Sequence, residues 1–327
     1  MTHSITLTAG IDTAKDKLDV AVHPSSTRLT VENRPSGYKR LVIELRRSGV
    51  TRVGIEATGG YERGVVNYLR EEGFEVILLQ PLQVKAFAKL KLRRAKNDAI
   101  DAALIAACTA LVDPPQARHD PRIAPLADVL TFVEQVEEDI TRAKTRLEKT
   151  TAPRLRQMIA ADIKRLAARR ESQLRWIALA LRRHADLARR LELVESIPGI
   201  GLRTALAIVL RMPEIGTISR EQAAALAGLA PFDDDSGKHK GERHIPTGQA
   251  RGLKAHGGRD RLRRSLYAAA LAASFRWNTA LIALYRRLIA RGKPHKLALV
   301  ACARKLIIFA NTVVQRGTPW LTQATHA

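Results

Sequence analysis

The chain opens with short apolar runs separated by turn residues. ITLTAGID is rich in β-formers and ends at Asp12. KLDVAVH follows as a second strand, returning antiparallel, and STRLTVENR as a third. RVGIE is another short apolar run, followed by Gly59 and Gly60, with Glu56 at its exit. EVILLQP reads as a buried strand that ends at Pro81. Between these runs the period lengthens to that of a helix. GYKRLVIELRRSG and YERGVVNYLREEGF are each stopped by glycine, and AIDAALIAACTALV is an apolar helix opened by Asp98 and Asp101.

The strand pattern stops at the proline-rich segment VDPPQARHDPRIAP, which places a domain boundary near residue 125. A helix follows with apolar positions at Leu126, Val129, Leu130, Val133, Val136, Ile140 and Leu147. Pro153 interrupts it, and a second long helix runs from about Leu155 to Arg190. Two long amphipathic helices broken by one proline predict a hairpin or coiled-coil arm, either packed on its own domain or, as the length of the stripe favours, self-associating. The third part, 191–327, opens on SIPGIG, a turn between two helices that makes a helix-hairpin-helix signature. Ser219 and Gln222 predict a capping box on the next helix. RDRLRRSLYAAALAASF and TALIALYRRLIARGKPHKLALVACARKLIIFANTVVQRG read as long helices.

Composition narrows the partner. Net charge is +23, and from Arg251 onward fifteen Lys and Arg face the single acid Asp260. Such an imbalance suits a polyanion, either nucleic acid or an anionic membrane. No run of about 18 apolar residues and no signal peptide is apparent, so a membrane span is not expected. Aromatics make up only 4% of the chain, which argues against base-stacking platforms. Cys108 and Cys302 lie in apolar helical contexts and are expected to be buried and reduced. The nine histidines show no paired spacing for zinc.

Four acids carry the candidate chemistry: Asp12, Glu56, Asp98 and Asp101. Two close strands, and two open a helix at i, i+3, on one helical face. Each alone reads as a cap or a solubilising charge. Together they also fit a carboxylate cluster for divalent metal, with magnesium suited to few carboxylates plus water and phosphate.

GIDTAK, IEATGGY and KNDAIDAALIA resemble the signature blocks of the RuvC-like DEDD transposases. That is the insertion sequence one hundred ten family, related to Piv-type DNA invertases. The resemblance covers nearly the whole chain, with the blocks in order. It implies an α/β RNase H-like domain over 1–125, a helical coiled-coil arm over 126–190, and a mainly α transposase domain over 191–327. It also implies that Asp12, Glu56, Asp98 and Asp101 form a tetrad for Mg²⁺, or Mn²⁺, with Asp16 and Asp19 outside it.

The same resemblance assigns Ser236, in APFDDDSGKHKGERHI, as a nucleophile that leaves a covalent phosphoserine link to DNA. By residue type alone a Ser-Gly pair there is a turn. The implied partners are DNA, a non-coding bridge RNA and further copies of the chain, as dimer or tetramer, on the nucleoid of a prokaryotic cytoplasm. Two departures stand out: Asp233 to Asp235 precede the serine, and the stretch at about 246–256 is longer than the family usually shows. The alternative reading is a two-metal nuclease or junction resolvase in which water attacks.

Candidate nucleic-acid contacts fall in four groups. Lys85, Lys89, Arg93 and Arg94 precede Asp98. Gly199 and Gly201 either turn backbone N–H groups toward a phosphate at a helix start or simply make a tight turn between packed helices. Lys238, Lys240 and Arg243 flank Ser236. Arg259, Arg261, Arg263, Arg264 and Lys293 lie where acids are scarce in the sequence, which favours phosphate contact.

Overall fold

A computed structural model of the chain describes residues 7–57, 59–91, 98–112, 120–230 and 259–321. It divides into two compact units, 1–116 and 117–327.

The first unit is built on five strands: β1 (Thr8–Thr13), β2 (Lys17–His23), β3 (Arg28–Glu32), β4 (Arg52–Glu56) and β5 (Glu75–Leu79). Their order is β3-β2-β1-β4-β5. The first three form an antiparallel meander, while β4 and β5 add parallel to β1. A parallel return needs a crossover, and α1 (Pro35–Arg47) and α2 (Arg63–Glu71) supply it. Ala9, Ile11, Val20, Val53, Ile55 and Val76 alternate onto one face, where Leu41, Leu45, Val65 and Leu69 of those helices cover them. The opposite face carries α4 (Asp98–Thr109), with α3 (Pro81–Leu90) beside it, over Ile77 and Leu79. This mixed sheet with flanking helices is the RNase H-like arrangement expected. The helix α3 was not anticipated; Pro81 ends the strand and serves as its first-turn residue.

The second unit is helical. It comprises α5 (Ala124–Lys149), α6 (Pro153–Arg182), α7 (Ala185–Glu195), α8 (Leu202–Arg211), α9 (Arg220–Leu226), α10 (Asp260–Ala272), α11 (Thr279–Ala290) and α12 (His295–Arg316). One π-helical turn, Ala273–Trp277, ends α10. α5 and α6 form the expected hairpin with Pro153 in the first turn of α6. The single helix predicted from Leu155 to Arg190 is two. The backbone of Arg183 and His184 closes on Ala180 and Leu181, and His184 is extended before α7 starts. Arg122 fixes that break, donating to both oxygens of Asp186 at 3.0 and 2.9 Å. The last long segment is also two helices, α11 and α12, because Gly292 is left-handed (φ 71°) and Pro294 follows.

The capping box holds: Gln222 N–H donates to Ser219 Oγ at 3.2 Å, and Ser219 N–H to Gln222 Oε1 at 2.9 Å. Both cysteines are free and buried, and burial raises both thiols above their ordinary pKa. By length and composition α12 is apolar enough to cross a membrane. Its Ala298, Leu299, Cys302, Ala303, Leu306, Ile307 and Ala310 are buried in the helical core, which accounts for that composition.

Candidate active site and nucleic-acid surfaces

Strand register sets the first half of the carboxylate site. Ile11 pairs with Ile55 in the parallel β1–β4 ladder, so Asp12 and Glu56 are the next residues of neighbouring strands. Side chains alternate along a strand, and both acids fall on the face that carries Gly10 and Gly54. That face lies under α4.

The glycines decide how close α4 comes. A Cβ on Gly10 would stand 2.1 Å from the Ala106 nitrogen and 2.2 Å from the Ala102 carbonyl oxygen. A Cβ on Gly54 would stand 1.7 Å from Thr109 Oγ1. Only glycine at both positions permits this contact. Thr8 Oγ1 donates to the Ala106 carbonyl at 2.9 Å and fixes the register. Ala106 therefore lies over Thr8 and Gly10, and Ala102 over Gly10, so α4 runs against the direction of β1. Its first turn, with Asp98 and Asp101, extends toward the strand ends that carry Asp12 and Glu56. Asp12, Glu56 and Asp101 are each partly exposed; the Asp98 side chain lies outside the described residues. Among the described residues no three of His, Cys, Asp or Glu are grouped closely enough to hold a metal. The donor chemistry, carboxylate oxygen throughout, is that of Mg²⁺ and Mn²⁺ ligands.

Asp19 is the cross-strand partner of Asp12. Like charges in that relation repel, and Asp19 is held by Lys17 Nζ at 2.8 Å and by the Thr30 hydroxyl at 2.7 Å. Asp19 thus lies within β2, rather than in a turn, and has its own local partners.

Sequence reasoning missed Asn33. Its Nδ2 donates to the Ala14 carbonyl at 2.8 Å and to the Tyr61 carbonyl at 3.0 Å. Ala14 follows Asp12 by two residues, and Tyr61 closes the glycine turn after Glu56. Tyr38 donates its hydroxyl to Asn33 Oδ1 at 2.6 Å, and burial raises the Tyr38 pKa. One amide thus ties together the two loops that leave the acid-bearing strands. Gly59 and Gly60 have φ of 88° and 129°, which suits the tight turn there.

The cationic candidates divide. Lys85 and Lys89 are exposed one turn apart on α3. Arg93, Arg94, Ser236, Lys238, Lys240, Arg243 and the stretch at about 246–256 lie outside the described residues. Gly199 is left-handed (φ 94°) and packs on Ala273, whereas Gly201 caps α8 and is exposed with open space at its Cα. Lys293 is exposed in the α11–α12 turn.

The premise of unopposed charge fails on α10. Arg259 meets Glu214 with two bonds at 2.8 and 2.6 Å. Arg261 meets Glu134 at 2.7 Å, and Arg263 meets Asp260 at 2.6 Å. Arg264 lies 3.1 Å from Asp260 and 3.6 Å from Glu138. Two of these carboxylates come from α5. Glu134 also accepts from Arg211 at 2.9 Å, and Glu137 takes the Arg203 guanidinium through two nitrogens. Desolvation would lower the Arg203 pKa, but the hydrogen bonds and charge of Glu137 outweigh it and the net shift is upward. Glu134, Glu137 and Glu138 of α5 with Arg203, Arg261 and Arg264 line a charged groove of about 620 Å³ between α5, α8 and α10.

Known proteins fit this organisation. Residues 9–152 match the DEDD family of IS110, described as "Transposase", and residues 191–286 match the "Transposase IS116/IS110/IS902 family". The pilin gene-inverting protein of Moraxella bovis is 26% identical over 320 residues, 95% of this chain and 96% of its own. That of Moraxella lacunata gives the same figures. An insertion element IS110 uncharacterized 43.6 kDa protein from Streptomyces coelicolor is 34% identical over 125 residues, 38% of this chain and 28% of that one. Among solved structures, Thermus thermophilus RuvC in complex with Holliday junction substrate aligns at 18% identity and a TM-score of 0.26, covering 32% of this chain and 91% of that one. With the two matches in order along the chain and the pilin gene-inverting proteins aligned over nearly all of it, the chain is an IS110/IS902-family transposase-like protein of the superfamily that includes those proteins.

Proposed function

We propose that the chain cuts and rejoins DNA strands, with Asp12, Glu56, Asp98 and Asp101 as a divalent-metal site. The family assignment supports DNA recombination as the activity in general. The observation that carries the metal site is the docking of α4 on Gly10 and Gly54, which directs the helix end bearing two acids toward the strand ends bearing the other two. Mg²⁺ or Mn²⁺ bound there supplies charge neutralisation at a scissile phosphate and lowers the pKa of an attacking oxygen. The chain's own part is to hold the four carboxylates, with Asn33 fixing the two adjoining loops.

The nucleophile is proposed to be Ser236. Support comes from the Ser-Gly step after Ala230-Pro231, inside the second family match. Its hydroxyl would lose a proton, bond to phosphorus and release one strand end as a hydroxyl; attack by a DNA hydroxyl reverses the step and frees the serine. Water as nucleophile, at the carboxylate site alone, is the second reading, and it needs no residue outside the first family match. An RNA partner and self-association belong to the first reading. Exposed Phe132, Trp176 and Leu179 on the α5–α6 hairpin support contact with another copy.

One experiment separates the readings. Cleavage of a supercoiled plasmid carrying the element ends is followed with Mg²⁺ or Mn²⁺, with denaturing gels to trap protein–DNA adducts. Asp12→Asn is expected to lose cleavage at least 100-fold, on the order of removing one electrostatic catalytic contact, with DNA binding and helix content retained. Normal activity in that variant removes the metal site. Ser236→Ala is expected to abolish both cleavage and adduct. Full cleavage by it, with no adduct in the parent chain, assigns the attack to water.

A further inference from the structure

The turn between α10 and α11 presents a surface outside the residues assigned above to cleavage. α10 ends in the π-helical turn Ala273–Trp277, a form that recurs at functional sites. The turn is pinned at both ends to the Pro198–Gly199 turn. Ala273 occupies the space a Gly199 side chain would need, with its Cβ 2.3 Å from that position. Asn278, buried, donates Nδ2–H to the Pro198 carbonyl at 3.2 Å and caps α11 by accepting from Leu281 N–H at 3.2 Å. Between the pins two large aromatic side chains point outward: Phe275 is 53% exposed and Trp277 60%. Aromatic residues are scarce in this chain, so two held outside the core on a rigid turn require a reason.

Phe275 is held in place. Its ring meets the edge of Tyr285 at 4.8 Å and 61°. Tyr285 Oη lies 2.7 Å from His295 Nδ1, at the start of α12. The surround is cationic. The Arg276 guanidinium stands 5.9 Å from the Trp277 ring centroid, and Lys293 and Lys296 flank His295. After Asp260 the sequence contains no acid. Among the described residues none of Arg276, Arg291, Lys293 or Lys296 meets a carboxylate.

We propose that this turn is a stacking platform for an unpaired nucleotide, with the base against Phe275 and Trp277 and its phosphates on Arg276, Lys293 and Lys296. The proposal rests on the nucleic-acid reading above and adds a ligand class to it. Rigid exposed aromatic faces interleaved with cations are what an unstacked base and its backbone require. A blunt duplex, whose bases are already stacked, offers the turn only its phosphates.

The test is fluorescence anisotropy of the full chain with three probes of one sequence: single-stranded DNA, single-stranded RNA and blunt duplex DNA. Trp277→Ala and Phe275→Ala should each weaken single-strand binding about 5- to 100-fold, the effect of removing one stacked base. Duplex binding should change less than about twofold, far below one stacking contact. Trp277→Phe should restore single-strand binding to within about threefold, since it keeps a π-face. The part of the intrinsic tryptophan quenching that accompanies single-strand binding to the parent chain should vanish in that variant. Both side chains are exposed, so unchanged thermal melting is expected. Comparing the DNA and RNA probes identifies which strand supplies the nucleotide. Equal losses on all three probes, or no loss, overturn the platform. Retained oligonucleotide binding with a lowered sedimentation mass also overturns it and makes the turn a contact between copies. A parent chain that binds none of the probes would instead overturn the nucleic-acid reading itself.

Discussion

Two basic stretches of the second unit look alike in sequence and behave differently in space. Arg259, Arg261, Arg263 and Arg264 on α10 each meet a carboxylate, and two of the acids reach them from α5. Arg276, Arg286, Arg287, Arg291, Lys293 and Lys296, from the π-helical turn to the start of α12, meet none among the described residues. Local charge density cannot distinguish them, because the deciding acids lie elsewhere in the chain. The pair Arg261–Glu134 spans 127 positions and Arg259–Glu214 spans 45. A cation in an internal ion pair is partly committed to the fold, while one without a carboxylate is available to phosphate.

The sharpest way to break this comparison is to remove the acid on which α10 and α8 converge. Glu134 is buried and holds both Arg211 and Arg261. Glu134→Ala leaves the Arg211 guanidinium desolvated with no carboxylate against it. Breaking a buried pair from one side costs about 3 kcal/mol, and that loss is expected in urea unfolding of the full chain. Desolvation already lowers the Arg211 pKa, with Glu134 opposing it, so removing Glu134 should lower it further. Unchanged stability would mean the α5–α10 contacts are incidental and the two basic stretches are equivalent after all.

How much was legible follows the same line. The strands were, because their alternation and terminal glycines are local. Asp12 and Glu56 could be placed at strand exits for that reason. That Gly10 and Gly54 admit α4 was not, since a strand glycine states a need for space without naming what fills it. Asn33 was invisible as well: a single amide in a turn carries no pattern, and its partners Ala14 and Tyr61 lie 19 and 28 residues away. The helix break at His184 has neither glycine nor proline to announce it, whereas the α11–α12 break carried both signals, Gly292 and Pro294, and the reading of one long segment passed over them. The low aromatic content is an average over the chain and carries no information on where Phe275, Trp277 and Tyr285 fall.

Salt dependence measures the second contrast. Removing a cation that neutralises one phosphate should reduce the slope of log affinity against log salt by about 0.9 on duplex DNA. The triple change Arg286→Ala, Lys293→Ala, Lys296→Ala is expected to flatten it by up to about 2.7, with stability unchanged. Arg259→Ala with Arg261→Ala should do the reverse, lowering stability while moving the slope by less than about one unit. Equal slope changes in the two sets would erase the distinction.

The smallest expected effect lies on the boundary between the two classes. Arg264 is more than half exposed, 3.1 Å from Asp260 and 3.6 Å from Glu138. Exposed pairs of this kind contribute about 0 to 1 kcal/mol, because water and salt already satisfy both charges. Arg264→Ala should therefore leave urea unfolding almost unchanged. Its guanidinium, unlike that of Arg261, is free enough to leave its acids for a phosphate, so the salt slope is expected to fall by about 0.9, the share of a single phosphate. A stability loss as large as that of Glu134→Ala would place Arg264 inside the ion-pair network. A slope that does not move would leave it a solvated side chain, and the phosphate-facing surface would then begin after α10.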